Sequence, residues 1–98
     1  MAEEIEIIGN EVYPLPVLIY SRPTCDHTAQ VRDRLKEFQI PFVEINIEED
    51  DAAARYVEHI NHGERTTPTI VFGDEEFIVV EPTSNELLQA MRRAGYQV

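Results

Sequence analysis

Three observations predict an α/β fold for this 98-residue chain, a mixed four-stranded sheet with helices on both faces. Short β-branched and aromatic runs alternate with stretches that are apolar at helical spacing, giving the order β-α-β-α-β-β-α. The opening strand–helix–strand unit calls for a parallel pair joined by a right-handed crossover, whereas a closing hairpin must be antiparallel. The length suits one domain around one core.

The elements follow in order. Residues 1–14 read as an N-terminal extension or an extra strand: Ile5, Ile7 and Ile8 precede a turn at Gly9-Asn10, or the segment is an acidic tail ending at Pro14. Pro16-Val17-Leu18-Ile19-Tyr20 has the composition of an interior strand. Val31, Leu35 and Phe38 form the apolar stripe of a helix that Ile40-Pro41 closes. Phe42 to Ile47 alternates as a second strand, and the acidic run Glu48-Glu49-Asp50-Asp51 suits the next helix's N-terminus. That helix carries Ala53, Tyr56, Val57 and Ile60 and ends near Asn61-His62-Gly63. Thr69–Phe72 and Phe77–Val80 flank Gly73-Asp74-Glu75-Glu76 as a hairpin. Thr83, Ser84 or Asn85 caps a last helix carrying Leu87, Leu88 and Met91, which Gly95 ends.

Composition narrows the function. A formal net charge of −11 repels nucleic acid and anionic membranes, so neither is an expected partner. The acidic start Met1-Ala2-Glu3-Glu4-Ile5-Glu6 lacks the basic and apolar regions of a signal peptide, and a cytoplasmic protein is expected. A single cysteine cannot form an internal disulfide, which agrees with a reducing compartment.

That cysteine, Cys25, sits in Ser21-Arg22-Pro23-Thr24-Cys25-Asp26-His27-Thr28, between the first strand and the first helix. Free N–H groups and the helix dipole stabilise negative charge at such a position, so a thiol there is biased toward thiolate. An inert buried cysteine is the plain alternative, but Pro23 before it and a polar trio after it argue for access to solvent. His59 and His62 beside Glu58 lack further ligands at metal-binding spacing, so no metal site is expected.

The element order, a cysteine after the first strand and Thr67-Pro68 before the third resemble the thioredoxin fold in its short glutaredoxin form, over roughly residues 16–94. Within it the chain looks most like the mycoredoxin-type bacterial glutaredoxins, chiefly through the stretch from Ala52-Ala53-Ala54 through Tyr56-Val57 and Asn61-His62-Gly63-Glu64-Arg65 to Thr67-Pro68-Thr69. On this resemblance residues 15–98 form a glutaredoxin-like domain and Cys25 stands at the nucleophile's position. Thr67 and Pro68 then match, in that order, the residue before the family's cis-proline and the cis-proline itself, and Arg22 stands where many members place a basic residue near the active-site cysteine. Thr28 replaces the second active-site cysteine, and Glu81-Pro82-Thr83-Ser84-Asn85 replaces the Gly-Gly-x-Asp stretch of common glutaredoxins.

The resemblance implies a thiol–disulfide oxidoreductase acting by a monothiol cycle on mixed disulfides between proteins and a small thiol, glutathione or a mycothiol-like compound. Lowering a cysteine pKa from about 8.5 to about 5.5 raises the thiolate fraction at pH 7 roughly thirty-fold, while intrinsic nucleophilicity falls roughly twenty-fold. The gain is therefore chiefly a better leaving group. Arg22, Thr28 and a protonated His27 are candidate supports for the thiolate; Thr67, Pro68, Thr83, Ser84 and Asn85 are candidate contacts for the small thiol. No tightly bound cofactor is expected, and the protein is expected to be a monomer. The alternatives are a [2Fe-2S] carrier shared between two chains and two small thiols, or a non-catalytic binding module.

Overall fold

The computed structural model describes residues 13–98. The reading of residues 1–14 as an extension or extra strand therefore lies outside the described residues, save for positions 13 and 14. The elements are β1 (Val17–Ser21), α1 (Asp26–Glu37), β2 (Val43–Asn46), α2 (Asp51–Ile60), β3 (Thr69–Phe72), β4 (Phe77–Val80) and α3 (Ser84–Arg93). The sheet order is β2-β1-β3-β4. β1 and β2 run parallel, with Ile19 opposite Glu44; β1–β3 and β3–β4 run antiparallel, with Ile19 opposite Ile70 and Ile70 opposite Val79.

Period-two alternation divides β1 between two layers. Val17 and Ile19 join Val31 and Leu35 of α1 and Leu87, Ala90 and Met91 of α3 in the larger core. Tyr20 turns the other way and packs with Ile45 against Ile47, Ala53, Ala54 and Val57 around α2. Helices thus cover both faces, as the sequence predicts. Each large apolar side chain removed from water here contributes about 1.5–3 kcal/mol. Phe72 and Phe77, directly paired across β3 and β4, stack with centroids 4.6 Å apart.

β2 is shorter than the predicted strand and forms one edge of the sheet. Val43 is 60% exposed, while Ile47 leaves the strand to bury itself and donates its N–H to the Ser21 carbonyl at 2.9 Å. Glu44 compensates for its position on the inner face of that edge by pairing with Arg32 of α1, at 2.8 and 2.7 Å, and by accepting from Ser21 Oγ at 2.8 Å.

Helix ends follow the expected chemistry. The Asp50 side chain caps α2 by accepting from the Ala53 N–H, and Thr83 caps α3 in a reciprocal capping box with Glu86. Gly95, at φ +101°, lets the chain leave α3 in a left-handed turn that brings residues 94–96 against the segment leading into β1. Ala94 O accepts from the Leu15 N–H at 2.8 Å, and Tyr96 Oη donates to Leu15 O at 2.7 Å. No helix among the described residues is long and apolar enough to cross a membrane.

Candidate functional site

The central strand delivers the cysteine. β1 ends at the buried Ser21, and Pro23 forbids continuation of the ladder. A tight turn, with the Cys25 N–H donating to Arg22 O at 3.2 Å, then hands the chain to α1. Cys25 is the N-cap of α1, in extended conformation at φ −87° and ψ 108°, so its side chain lies over the helix's unpaired first-turn N–H groups. Its thiol is half-buried and faces Thr67, with Sγ 3.6 Å from the Thr67 carbonyl oxygen.

Thr67 and Pro68 are joined by a cis peptide bond. Neighbouring hydroxyls and amides hold this segment. Thr69 Oγ1 donates to Thr66 O at 2.8 Å and accepts from Asn61 Nδ2 at 3.2 Å, while the Glu81 N–H donates to Pro68 O at 2.9 Å. Thr67 and Pro68 are buried, so the cysteine faces a fixed wall.

Two opposing effects set the thiol's ionisation. Burial pushes the pKa up; the Thr28 hydroxyl, the Thr67 hydroxyl and the backbone N–H groups of Thr28 and His27 together outweigh it and hold the thiol below the ordinary cysteine value. Thr28 carries the most informative detail. It is fully buried, and its Oγ1 has no hydrogen-bond partner at regular geometry among the described residues while the thiol proton is directed at Thr67. An ionised sulfur is the acceptor that this hydroxyl lacks. The sulfur likewise makes no regular cap hydrogen bond as a thiol, so the first-turn amides engage fully only with the thiolate.

An open groove of about 520 Å³ exposes this arrangement, its wall including Arg22, Cys25, Thr67, Glu64, Arg65 and Glu81. Arg65 is paired with Glu58 at 2.5 Å. Arg22 has no side-chain partner among the described residues, and the shift of the Cys25 thiol arises from hydrogen bonds and burial, not from this arginine's charge.

Of the residues singled out from sequence, Cys25, Arg22, Thr28, Thr67 and Pro68 come together. His27 turns away: its Nε2 lies 2.7 Å from Pro82 O, which can only accept, so the proton sits on Nε2 and the ring ties α1 to the segment before α3. Thr83, Ser84 and Asn85 lie outside the groove's lining. The Thr83 hydroxyl is engaged in its cap, and Ser84 lines a separate hollow with His27 and Arg34. Glu64 and Glu81 were not anticipated. Glu81 reaches the groove through a left-handed backbone, φ 48°, that its sequence does not announce.

A [2Fe-2S] cluster takes four thiolate ligands, and this chain offers one. One protomer therefore does not fit such a cluster as a resident group. Among the described residues no cluster of three or more His, Cys, Asp or Glu side chains could hold a metal ion.

A four-stranded mixed sheet whose central strand leads to an accessible cysteine N-cap, opposite a cis-proline turn, defines a thioredoxin-like protein. Comparison with known proteins narrows the class. The family model described as Glutaredoxin matches residues 17–78, and the chain belongs to the glutaredoxin family. It is 32% identical over 69 residues to "Putative glutaredoxin Rv3198A" of Mycobacterium tuberculosis, the match covering 70% of this chain and 81% of that protein. Among solved structures it is similar to the thioredoxin-like protein BC3987, with a TM-score of 0.57 and 29% identity over 76% of this chain and 97% of that one. It is also similar to a mutant of actin interacting protein 5, with a TM-score of 0.60 and 26% identity over 86% of this chain and 90% of that one. Family membership carries thiol–disulfide oxidoreductase-type chemistry in general.

Proposed function

We propose that the chain is a monothiol oxidoreductase that reduces mixed disulfides between proteins and a small thiol, glutathione or a mycothiol-like compound, as a monomer in a reducing cytoplasm. The observation that carries this reading is Cys25 itself: a half-buried thiol at a helix N-cap, held below its ordinary pKa and open to a groove beside Thr67.

The Cys25 thiolate attacks the small-thiol sulfur of the mixed disulfide. A new S–S bond forms between Cys25 and the small thiol, the old S–S bond breaks, and the protein sulfur leaves as a thiolate that takes a proton from water. A second small-thiol molecule, as its thiolate, attacks the small-thiol sulfur bound to Cys25. Cys25 departs as a thiolate and a small-thiol disulfide is released. One free small thiol is consumed for each protein thiol released, and its sulfur joins the small-thiol sulfur of the substrate in the released disulfide. With one cysteine in the sequence, no internal thiol competes for the second step. Departure of Cys25 is where the buried Thr28 hydroxyl and the first-turn amides act, because they bind the ionised form more strongly.

The test is reduction of a peptide carrying a small-thiol mixed disulfide, followed with glutathione and with mycothiol as reductants. The native protein is expected to turn over with at least one of them, and Cys25→Ser to lose about a thousandfold or more in rate. An undiminished rate in Cys25→Ser, or no turnover by the native protein with any cellular thiol, overturns the proposal.

A further inference from the structure

We propose that the groove selects, among protein substrates, those whose mixed-disulfide cysteine is flanked by lysine or arginine, and that Glu64 and Glu81 are the residues that read this charge. The inference rests on Cys25 being the reacting group and names the class of protein that it acts on.

The charges around the groove are unequal in availability. Arg65 is ion-paired with Glu58, so the two together carry no net charge. Arg22 is half-buried and is the remaining cation in the lining. Against it stand two carboxylates, Glu64 and Glu81, both exposed and both without a side-chain hydrogen bond or ion pair among the described residues. An unpaired carboxylate is ordinary on a surface facing water. Two of them, from two different loops lining the groove that holds the nucleophile, form a local negative field, which the net charge of −11 reinforces.

Backbone structure fixes both positions. Gly63, at φ +96°, ends the turn after α2 and directs the chain into Glu64. Glu81 adopts φ 48° and donates its N–H to Pro68 O at 2.9 Å, which ties its loop to the residue following Thr67. A charge carried on an anchored loop keeps its place relative to the reacting sulfur, so it discriminates between substrates without reorganising. Hydrogen bonds and burial are the causes that set the thiol's ionisation. Lysine or arginine beside the substrate cysteine meets this field favourably, and aspartate or glutamate there meets repulsion.

The experiment uses two peptides of identical length, each with one cysteine in mixed disulfide with the same small thiol, flanked by lysines in one and glutamates in the other. Single-turnover transfer of the small thiol to Cys25 is measured for the native protein and for the double variant Glu64→Gln, Glu81→Gln, at low and at high ionic strength. The lysine-flanked peptide is expected to react about tenfold faster with the native protein at low salt. That ratio is expected to shrink toward one at high salt, and to fall severalfold in the double variant at low salt. Equal rates for the two peptides overturn the inference and leave the oxidoreductase reading intact. A ratio that persists unchanged in the double variant assigns the preference to the whole chain's charge and overturns the role of these two residues. Absence of transfer from either peptide overturns both the inference and the reading beneath it. Both substitutions are at exposed positions, and a circular dichroism melt at the native temperature verifies that the variant is folded.

Discussion

Thr28 shows how a single atom favours one protonation state. A buried hydroxyl without a partner ordinarily costs about 1–3 kcal/mol, and here the deficit is relieved when the neighbouring sulfur ionises. Thr28→Val keeps the shape and removes the oxygen. It is expected to leave stability within about 1 kcal/mol of native, or to raise it, because the desolvated group is gone. The Cys25 pKa is expected to rise toward the ordinary thiol value, checked by titrating ultraviolet thiolate absorbance. The sign follows from linkage: a thiol depressed by folding stabilises the fold at alkaline pH, where it is ionised, and loses that contribution as pH falls through its folded value. The stability difference between native and Thr28→Val should therefore shift in the valine variant's favour as pH is lowered. Thr83 predicts a contrasting outcome. Its hydroxyl caps α3, so Thr83→Ala is expected to cost about 1 kcal/mol in denaturant titrations while changing exchange rates less than twofold.

At the scale of elements, the contact between α1 and β2 depends on Arg32, Glu44 and Ser21. The Arg32 guanidinium holds the Glu44 carboxyl below its usual range, against a smaller opposing effect of burial, and Ser21 assists. Arg32→Ala is expected to destabilise by about 1 kcal/mol at neutral pH, the pair being partly screened by water. Because the Glu44 pKa is depressed, this contribution is present above the ordinary carboxylate range and lost as pH falls through the folded value. Acid titration of stability should make native and Arg32→Ala converge. Elements were the most legible level of the sequence. The apolar spacing of Val31 and Leu35, the acidic run that opens α2 and the Gly73-Asp74-Glu75-Glu76 hairpin all reflect local chemistry that the structure retains. The edge character of β2 was not legible, since an alternating strand reads alike whether it has one neighbour or two. In the site, Cys25 beside Thr67-Pro68 was readable through family resemblance. The arrival of Glu81 was hidden because it depends on a left-handed residue that is not glycine, and the departure of His27 because it depends on a long-range bond to Pro82.

For the molecule as a whole, closure between the segment leading into β1 and the turn after α3 is a third kind of stabilisation. A Cβ on Gly95 would lie 3.1 Å from Pro14 Cα and 3.2 Å from the Tyr13 ring, in a conformation that already disfavours side chains. Gly95→Ala is expected to cost about 1–3 kcal/mol, which for a domain of this size lowers the melting temperature by several degrees or more. Calorimetry checks it, and an unchanged melt would mean that the Leu15–Ala94 and Tyr96–Leu15 bonds contribute little to cohesion. The position of β1 has a consequence for endurance. It is hydrogen-bonded along both edges, by β2 and by β3, and it leads through one short turn to Cys25. Its amides should be among the slowest to exchange with deuterated solvent, opening only when everything opens. The reactive atom is thus moored to the last part of the protein to come undone, and heat should silence its chemistry in step with the collapse of the entire architecture, with no earlier fade.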